Sequence, residues 1–378
     1  MTDFNALPFD AGAMLAGLRP WVECESPTHD ATAVGRMMDL ASRDLALMGA
    51  TIERIPGRMG YGDCVRARLP HTGPARPGIL VLGHLDTVHP VGTLAALPFK
   101  EAGAYCHGPG ICDMKGGNYL TLEAIRQLAR AGIATPLPIT VLFTSDEEVG
   151  SPSTRDLIEA EAARHAFVLV PEPARAIHRV ITGRYAIARF DLEAKGVPSH
   201  AGAALKAGRS AIREMARRTL EIEAMTSEDC TFSVGVVQGG QWVNCVASLC
   251  RAQALSMAKR QHDLDHGVER MLALSGETGE VPFTVRRGVT RPVWEPDAGT
   301  QALFAVATSL ARQLGIELAA ESAGGGSDGN FTGAMGIPTL DGLGVHGDGI
   351  HTLHERIETA TLATRGRLMA GLLASLGA

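Results

Sequence analysis

The sequence predicts an α/β protein in which a mostly parallel sheet is flanked by helices and a smaller α+β domain is inserted. Short apolar strands alternate with amphipathic helices up to about residue 181, which is the pattern of βα units. Over 182–292 that pattern gives way to strict alternation of polar and apolar residues, typical of antiparallel strands with one wet face. The first pattern then returns. We therefore predict one domain from 1–181 and 293–378, and an inserted domain from 182–292.

Hydrophobic periodicity places the individual elements. In the first domain it predicts helices at 11–19, 31–48, 118–130, 153–164, 300–314 and from 359 onward, and strands at 78–82, 138–143, 166–170 and 338–340. In the inserted domain it predicts strands at 189–194 and 231–237, an alternating stretch that ends near 259, and a helix at 207–223.

Composition excludes several classes of protein. The chain has 378 residues with 41 acidic and 35 basic side chains and no basic run, which argues against general nucleic-acid binding. No apolar stretch approaches the ~20 residues that span a bilayer. The first residues lack the basic and apolar regions of a signal peptide, so we expect a cytoplasmic protein. Seven irregularly spaced cysteines predict free thiols, with Cys106 and Cys112 as small buried hydrophobes.

Three consecutive carboxylates, Asp146, Glu147 and Glu148, follow the apolar run at 138–143. Strand alternation predicts that Asp146 and Glu148 lie on one side and Glu147 on the other, so at least one acid points to the interior or to a cleft. Ionised carboxylates in such a place need cations or metals. A solvated turn is the alternative that this stretch alone leaves open.

Five segments end or follow a predicted strand with a side chain that can bind metal. They supply His84 with Asp86, then Asp113, then Glu147 and Glu148, then Glu172, and finally His351. Ligands of open α/β sheets collect outside the carboxyl ends of the strands, so this placement is the one that a site requires. A single histidine after a strand is more often structural; five such segments together indicate a site.

Six motifs in this order resemble one known family. They are His84-Leu85-Asp86-Thr87, Asp113-Met114-Lys115-Gly116-Gly117, Asp146-Glu147-Glu148-Val149-Gly150-Ser151, Glu172-Pro173, Pro198-Ser199-His200-Ala201-Gly202 and Gly325-Gly326-Ser327-Asp328. The chain resembles the glutamate carboxypeptidase, acetylornithine deacetylase and succinyl-diaminopimelate desuccinylase family of two-metal peptidases and amidohydrolases. The resemblance covers nearly the whole chain and implies a fold of the zinc-exopeptidase type.

The resemblance implies two divalent metal ions. Asp113 would bridge them, His84 and Glu172 would complete the coordination of one ion, and Glu148 and His351 that of the other. Zn²⁺ is the expected metal, although three carboxylates and two imidazoles also accept Mn²⁺ or Co²⁺. A shared carboxylate and a hydroxide held between the ions would offset their mutual repulsion.

The resemblance also implies catalytic roles. Glu147 would be the general base that takes a proton from the attacking water and passes it to the leaving nitrogen. Asp86 would accept the imidazole N–H of His84 and fix its tautomer. His200 resembles the histidine that reaches the active site of a dimer partner and stabilises an oxyanion. A homodimer formed through 182–292 is therefore expected.

Substrate contacts are predicted at Arg184, Asn244, Met257, Gly326 and Ser327. Asn244 resembles the substrate-contacting asparagine of the family. The family pattern then continues with a proline and a strand ending in Asp-x-Arg, whose arginine holds a substrate carboxylate, but this chain has Ala247, Leu255 and Met257 at those positions. Methionine offers only a soft apolar surface, so Met257 puts a carboxylate substrate in question. Lys259 and His346 are further polar groups whose roles the sequence leaves open.

Three functions are compatible with these residues. The first is hydrolysis of a C–N bond in an amide, an N-acyl amino acid or a dipeptide. The second is an aminohydrolase that acts on a non-peptidic, aromatic amine held against Met257. The third is a catalytically silent relative that only binds, which an intact Glu147 and a complete ligand set disfavour. A small-molecule substrate is expected in the first two cases.

Overall fold

The structure, a computed structural model, describes residues 3–276 and 279–378. Met1 and Thr2 of the amino-terminal stretch, and Glu277 and Thr278 of the predicted inserted domain, lie outside the described residues. The chain forms two compact units. The first unit comprises Met1–Gly183, Glu295–Ser322 and Ser327–Ala378, and the second unit comprises Arg184–Trp294 and Ala323–Gly326.

The helices of the described chain are α1 (Ala11–Glu23), α2 (Ala31–Ala46), α3 (Gly116–Arg130), α4 (Arg155–Ala162), α5 (Ala211–Glu223), α6 (Gln261–Leu272), α7 (Ala298–Gln313), α8 (Gly329–Ala334) and α9 (Thr359–Ser375). The strands are β1 (Thr51–Ile55), β2 (Cys64–Arg68), β3 (Gly78–His84), β4 (Lys100–Ala102), β5 (Tyr105–His107), β6 (Ile139–Thr144), β7 (His165–Leu169), β8 (Arg179–Arg184), β9 (Ala186–Lys195), β10 (Cys230–Gly239), β11 (Leu249–Ala258), β12 (Phe283–Arg291), β13 (Ala319–Ala323), β14 (Thr339–Leu340), β15 (Gly347–Asp348) and β16 (Arg356–Glu358).

The first unit is built on a six-stranded sheet with the order β1-β2-β6-β3-β7-β14. The strands β6, β3, β7 and β14 are parallel to one another, and β2 and β1 extend the sheet antiparallel at one edge. Every residue of β3 and β6 is buried, as expected of central strands that are covered on both faces. The carboxyl ends of the parallel strands therefore meet along one edge of this sheet.

Helices cover both faces of that sheet. Ile79 and Val81 of β3 pack into the larger core, to which α1, α2, α3, α7 and α9 contribute. Leu80 and Leu82 point the other way and pack with α4 and with Phe331 of α8. This alternation makes the three-layer α/β architecture that the apolar strands predict, and the predicted fold class is confirmed.

Aspartate caps fix where several of the helices begin. Asp10, Asp30 and Asp297 accept hydrogen bonds from the backbone N–H groups three residues later, at 2.8, 2.9 and 2.7 Å. Such caps satisfy N–H groups that have no partner inside the helix. The same unit also contains the small antiparallel sheet β15-β16-β5-β4 and the pair β13-β8.

The second unit is a four-stranded antiparallel sheet with the order β10-β11-β9-β12 and two helices, α5 and α6. In β9 the residues alternate, so that Ala188, Phe190 and Leu192 are buried in the core with α5 and α6, while Arg189 and Asp191 are exposed. One face of this sheet is thus covered by helices, which is the pattern that the sequence predicts for 182–292.

One difference from the predicted domain organisation has a clear physical cause. Residues 323–326 belong to the second unit, not to the first, because Tyr185 N–H donates to the carbonyl of Ala323 at 3.0 Å and Arg184 donates to the carbonyl of Gly325 at 3.2 Å. Among the described elements, several others have no counterpart in the predictions, namely the strands β1, β2, β4, β5, β8, β12, β13, β15 and β16 and the helices α6 and α8. No helix of the described residues is both long and apolar enough to cross a membrane.

Candidate metal centre

The five predicted metal ligands come together in the first unit, although they lie far apart in the sequence. His84 is the last residue of β3, and Glu172 follows β7 by three residues. Asp113 lies in the irregular segment Ile111–Lys115 that leads into α3, and Glu148 lies in the 3-10 turn Glu147–Val149 after β6. His351 lies between β15 and β16 in a left-handed backbone conformation, with φ of 63°.

These side chains form two clusters that share one residue. His84, Asp113 and Glu172 place one potential ligand atom each within 4.8 Å of one another, and so do Asp113, Glu148 and His351. The two oxygens of Asp113 face different imidazoles: Oδ1 lies 3.3 Å from Nε2 of His84, and Oδ2 lies 3.1 Å from Nε2 of His351. A carboxylate placed in this way can be shared between two cations.

The spacing of the donor atoms fits cations of the expected size. Ligands of a tetrahedral ion with ~2.0–2.2 Å bonds are separated by about 3.3–3.6 Å. Nε2 of His84 lies 3.6 Å from Oε1 of Glu172, and Nε2 of His351 lies 3.1 Å from Oε2 of Glu148. Imidazole nitrogen and carboxylate oxygen are also the donor types that divalent zinc, manganese and cobalt accept. The residues present therefore fit a pair of divalent ions.

The electrostatics of the clusters reflect buried acids that share a small volume. Burial raises the pKa of Glu148 to about 8, and burial together with the negative charge of Asp113 raises the pKa of Glu172 well above its usual range. Hydrogen bonds to Asp113 and Glu148 raise the pKa of His351 to about 11. Burial opposes ionisation of Asp113 as well, but its hydrogen bonds to His351 and His84 outweigh burial and lower its pKa. In the absence of metal cations, bound protons therefore offset the negative charge of these carboxylates.

Asp86 supports the site differently from the prediction. Nδ1 of His84 lies 2.9 Å from the backbone carbonyl of Asp86 and 3.5 Å from its carboxylate. The carboxylate of Asp86 accepts hydrogen bonds from the backbone N–H groups of Glu147 at 3.2 Å and Glu148 at 3.3 Å, and from the hydroxyl of Thr28 at 2.8 Å. The buried Asp86 thus connects the turn that carries the two glutamates to the strand that carries His84.

The predicted alternation of the three acids after β6 is wrong. The strand ends at Thr144, and Glu147–Val149 forms a 3-10 turn that closes on Gly150 with φ of 97°. Asp146 turns into the interior, where its carboxylate accepts hydrogen bonds from the N–H of Ser153 and the hydroxyl of Thr154. Glu147 and Glu148 therefore both reach the clusters, with Oε2 of Glu147 3.9 Å from Nε2 of His84.

Glycine lets α3 approach the segment that carries Glu172. A Cβ atom on Gly117 would lie 1.8 Å from the carbonyl oxygen of Pro171 and 3.1 Å from Cα of Gly344. No side chain fits between these backbones. The Gly116-Gly117 pair after Asp113 thus has a packing reason: it brings the start of α3 against the carboxyl end of β7.

Two predicted residues, His200 and Asn244, lie side by side in the second unit. The N–H of Ala201 donates to the carbonyl of Asn244 at 2.8 Å, and His200 and Cys245 form an antiparallel bridge. Nδ1 of the exposed His200 accepts hydrogen bonds from the backbone N–H groups of Gly202 and Ala203, both at 3.1 Å. Because Nδ1 accepts, the proton of the neutral ring is on Nε2, which makes that nitrogen a hydrogen-bond donor.

An arginine that the sequence reasoning did not single out lies on the same sheet face as Met257. Met257 pairs with Ile187 on one side of β9, and Arg291 pairs with Ile187 on the other side. Directly paired residues of adjacent strands point to the same face, so Met257, Ile187 and Arg291 form one row. A Cβ atom on Gly326 would lie 2.4 Å from Cδ of the buried Arg291. Lys259 is exposed beyond the end of β11.

The remaining predicted residues are held by bonds of their own. Ser327 is fully buried, and its hydroxyl donates to Asp341 at 2.6 Å and accepts from the N–H of Gly329. The guanidinium of the buried Arg184 donates to the carbonyl of Gly325. Nδ1 of His346 lies 3.2 Å from a carboxylate oxygen of Glu358, outside the two clusters.

All seven cysteines lie among the described residues, and none forms a disulfide. Cys106 and Cys112 are fully buried, as expected of small hydrophobes, and Cys245 is exposed. The prediction of free thiols is confirmed.

A doubly covered α/β sheet with carboxylate and imidazole clusters at its strand ends indicates a metal-binding protein. Comparison with known proteins agrees. The model of peptidase family M20/M25/M40 matches residues 80–375. Carboxypeptidase G2 of Pseudomonas sp. (strain RS-16) is 30% identical over 99% of this chain and 92% of its own. Succinyl-diaminopimelate desuccinylase of Azoarcus sp. (strain BH72) is 28% identical over 85% of this chain and 87% of its own.

The fold agrees as well. A crystal structure of human carnosine dipeptidase 1 superposes with a TM-score of 0.76 over 98% of both chains at 14% identity. The chain belongs to peptidase family M20/M25/M40, and the resemblance found in the motifs is confirmed. It is therefore a metal-dependent hydrolase of peptide or amide bonds, with candidate ligands for divalent ions.

Proposed function

We propose that this protein is a dinuclear metallohydrolase that cleaves a C–N bond in a small amide, N-acyl amino acid or dipeptide. The observation that carries this proposal is the placement of Asp113, whose two carboxylate oxygens face His84 and His351 at 3.3 and 3.1 Å. A carboxylate that serves only one ion, or a structural ion pair, does not need an imidazole on each oxygen.

Asp113 would be shared by the two ions. His84 and Glu172 would hold one ion and Glu148 and His351 the other, with Zn²⁺ as the expected metal in both positions. When bound, the pair would polarise the scissile carbonyl and lower the pKa of the attacking water.

Glu147 is the proposed general base. Its side chain is mostly buried beside His84, and its backbone N–H is held by Asp86. The neighbouring Glu148 is turned toward His351, so the two glutamates have separate tasks. Glu147 takes a proton from the attacking water and delivers it to the nitrogen that leaves, which completes the cleavage without a second acid.

His200 is the proposed oxyanion donor, acting in the active site of a second copy of the chain. Its Nε2–H, fixed by the two backbone donors on Nδ1, is the kind of group that stabilises developing negative charge.

The proposed homodimer forms along β10, which lies at the edge of its sheet and exposes Val236 and Val237. An exposed edge strand can pair with a second copy. Light scattering should show a dimer for the wild type and a monomer for Val237→Lys; a monomeric wild type contradicts this step.

The substrate is proposed to carry a carboxylate. Met257 cannot bind one, but the strand pairing places Arg291 in the same row of side chains, and a guanidinium is the group that suits a carboxylate, so Arg291 is the proposed contact. This arrangement favours an N-acyl amino acid or dipeptide over the aromatic amine alternative.

Arg291→Met should raise KM for carboxylate substrates by about 30-fold or more, since a lost partner of a buried ion pair costs ~2–5 kcal/mol. Compounds with an amide in place of the carboxylate should be unaffected.

The test of the proposal is a substrate panel with a matched variant. N-acyl amino acids, dipeptides, their carboxamide analogues and aromatic amines are offered to the Zn²⁺-loaded wild type and to Glu147→Gln. The wild type should hydrolyse a carboxylate-bearing amide, and Glu147→Gln should keep its metal and lose turnover by about 10²–10⁴-fold. Glu317→Gln, on the exposed surface, serves as the control. Wild-type-like turnover by Glu147→Gln, or cleavage of the aromatic amines alone, would refute the proposal.

A further inference from the structure

A buried carboxylate that is not among the proposed metal ligands accepts hydrogen bonds from the backbone of the loop that carries Asp113. Glu355 is 1% exposed. Its Oε1 accepts hydrogen bonds from the backbone N–H groups of Cys112 at 2.8 Å and Asp113 at 3.0 Å. Its Oε2 accepts from the N–H of Gly110 at 2.9 Å and lies 2.7 Å from Nε2 of His89. Four polar groups thus converge on one side chain.

The loop needs such an anchor because secondary structure does not fix it. Gly110 has a left-handed φ of 68°, and the segment Ile111–Lys115 contains non-helical dihedral angles at Asp113. The N–H groups of Gly110, Cys112 and Asp113 therefore have no strand or helix partner to hold them, and Glu355 takes that place. Glu355 is in turn fixed by its backbone, whose carbonyl accepts from Gly108 N–H at 3.3 Å.

The same carboxylate joins three ligand-bearing segments. His89, which is 6% exposed, lies five residues after His84, and Glu355 lies four residues after His351. Through one side chain, the segments that carry His84 and His351 are both attached to the loop of Asp113.

We propose that Glu355 is a positioning residue that sets the Asp113 carboxylate between its two imidazoles, with His89 as its second support. This inference rests on the proposed metal site and adds to it the device that preorganises the shared ligand. Supports of this kind typically change metal affinity by about 10–100-fold when they are removed.

The substitution Glu355→Gln tests this with almost no change in volume. Glutamine keeps one oxygen for Cys112 and Asp113, but it turns an NH₂ group toward the N–H of Gly110, so two donors face each other. His89→Gln is the milder variant, because it leaves all three backbone hydrogen bonds in place. Glu317→Gln is the matched surface control.

The readouts are the affinity for Zn²⁺ by competition with a chelator, the visible spectrum of the Co²⁺-loaded protein, and kcat and KM. Glu355→Gln should bind Zn²⁺ about 10–100-fold more weakly, shift the Co²⁺ absorption bands and lower kcat with little change in KM. His89→Gln should show the same changes to a smaller degree, and it decides the matter if Glu355→Gln does not fold.

Wild-type affinity and an unchanged Co²⁺ spectrum in the folded variants would overturn the positioning role while leaving the proposed function intact. If the wild type itself binds neither Zn²⁺ nor Co²⁺, the proposed function and this inference both fail. The two failures are therefore distinguishable.

Discussion

The close packing of α3 against the segment that carries Glu172 makes Gly117→Ala an informative perturbation. The added methyl group would lie 1.8 Å from the carbonyl oxygen of Pro171. A carbon–oxygen contact needs about 3.3 Å, so the backbones have to separate by about 1.5 Å. The segment cannot simply retreat, because the carbonyl of Glu172 accepts from the N–H of Gly344 at 2.9 Å and Gly344 borders the same space.

The displacement should act on one ligand cluster more than on the other. Glu172 moves relative to His84, whereas the contacts of Glu148 and His351 lie on other segments. We expect the bound metal to fall from two ions toward one, and kcat/KM to fall by about 100-fold, the usual cost of a 1 Å misplacement. Strain of this type lowers the free energy of unfolding by ~1–3 kcal/mol.

The measurements are the metal-to-protein ratio by mass spectrometry, urea denaturation of the metal-depleted protein, and kcat/KM. Gly35→Ala is the matched control, because the nearest atom to its added Cβ is Nη2 of Arg54 at 3.7 Å and alanine favours the α2 helix by ~0.5–1 kcal/mol. If Gly117→Ala retains two ions per chain and full activity, the packing argument is refuted.

Two further predictions concern side chains that are not proposed as metal ligands. Burial raises the pKa of Cys64 to about 12 and that of Cys112 well above its usual range, so both stay protonated at pH 8. A thiol reagent should modify the exposed Cys245 first and these two only on unfolding; rapid labelling of Cys112 in the native protein would contradict this. Arg365→Met should lower the free energy of unfolding, measured by urea denaturation, by ~3 kcal/mol or more, because its buried guanidinium donates to four backbone carbonyls. Arg312→Ala, an exposed control, should change it by less than ~0.5 kcal/mol, and equal effects would refute the prediction.

The central layer of the fold was predictable because its strands are short, apolar and bounded by polar motifs. The runs that became β3 and β6 are short and apolar, as expected of buried strands, and a candidate ligand lies at the end of β3 and four residues after the end of β6. Weaker patterns failed. The strand β2 reads Cys-Val-Arg-Ala-Arg, and the partly buried Arg66 in its centre forms an ion pair at 2.9 Å with the buried Glu161 of the distant helix α4. No local sequence pattern predicts an ion pair between residues so far apart in the chain.

The candidate ligands could be selected from the sequence for a related reason, because metal binding needs particular residue types and these occur at or after the predicted strands. What the sequence could not predict was how the backbone turns after the strand. The 3-10 turn at Glu147–Val149 brings both glutamates to the site and sends Asp146 away from it, because hydrogen bonds to Ser153 and Thr154 compensate its burial.

Supporting residues were the hardest to predict. Glu355 is one acid among many in the sequence, and only the structure shows that its carboxylate meets Gly110, Cys112 and Asp113. Arg291 left a signal that could have been used: an arginine at the end of the alternating strand before Pro292. Its relation to Met257 depends on the register of three strands, which hydrophobic alternation does not specify uniquely.

The account depends most on the claim that Asp113 lies between two cations. A crystal structure of the Zn²⁺-loaded protein, with anomalous data collected at the zinc edge, tests this directly. We predict two anomalous peaks, one within bonding distance of each carboxylate oxygen of Asp113. His84 and Glu172 should lie within bonding distance of the first peak, and Glu148 and His351 within bonding distance of the second. A single peak, or two peaks of which neither lies within bonding distance of Asp113, would contradict the account.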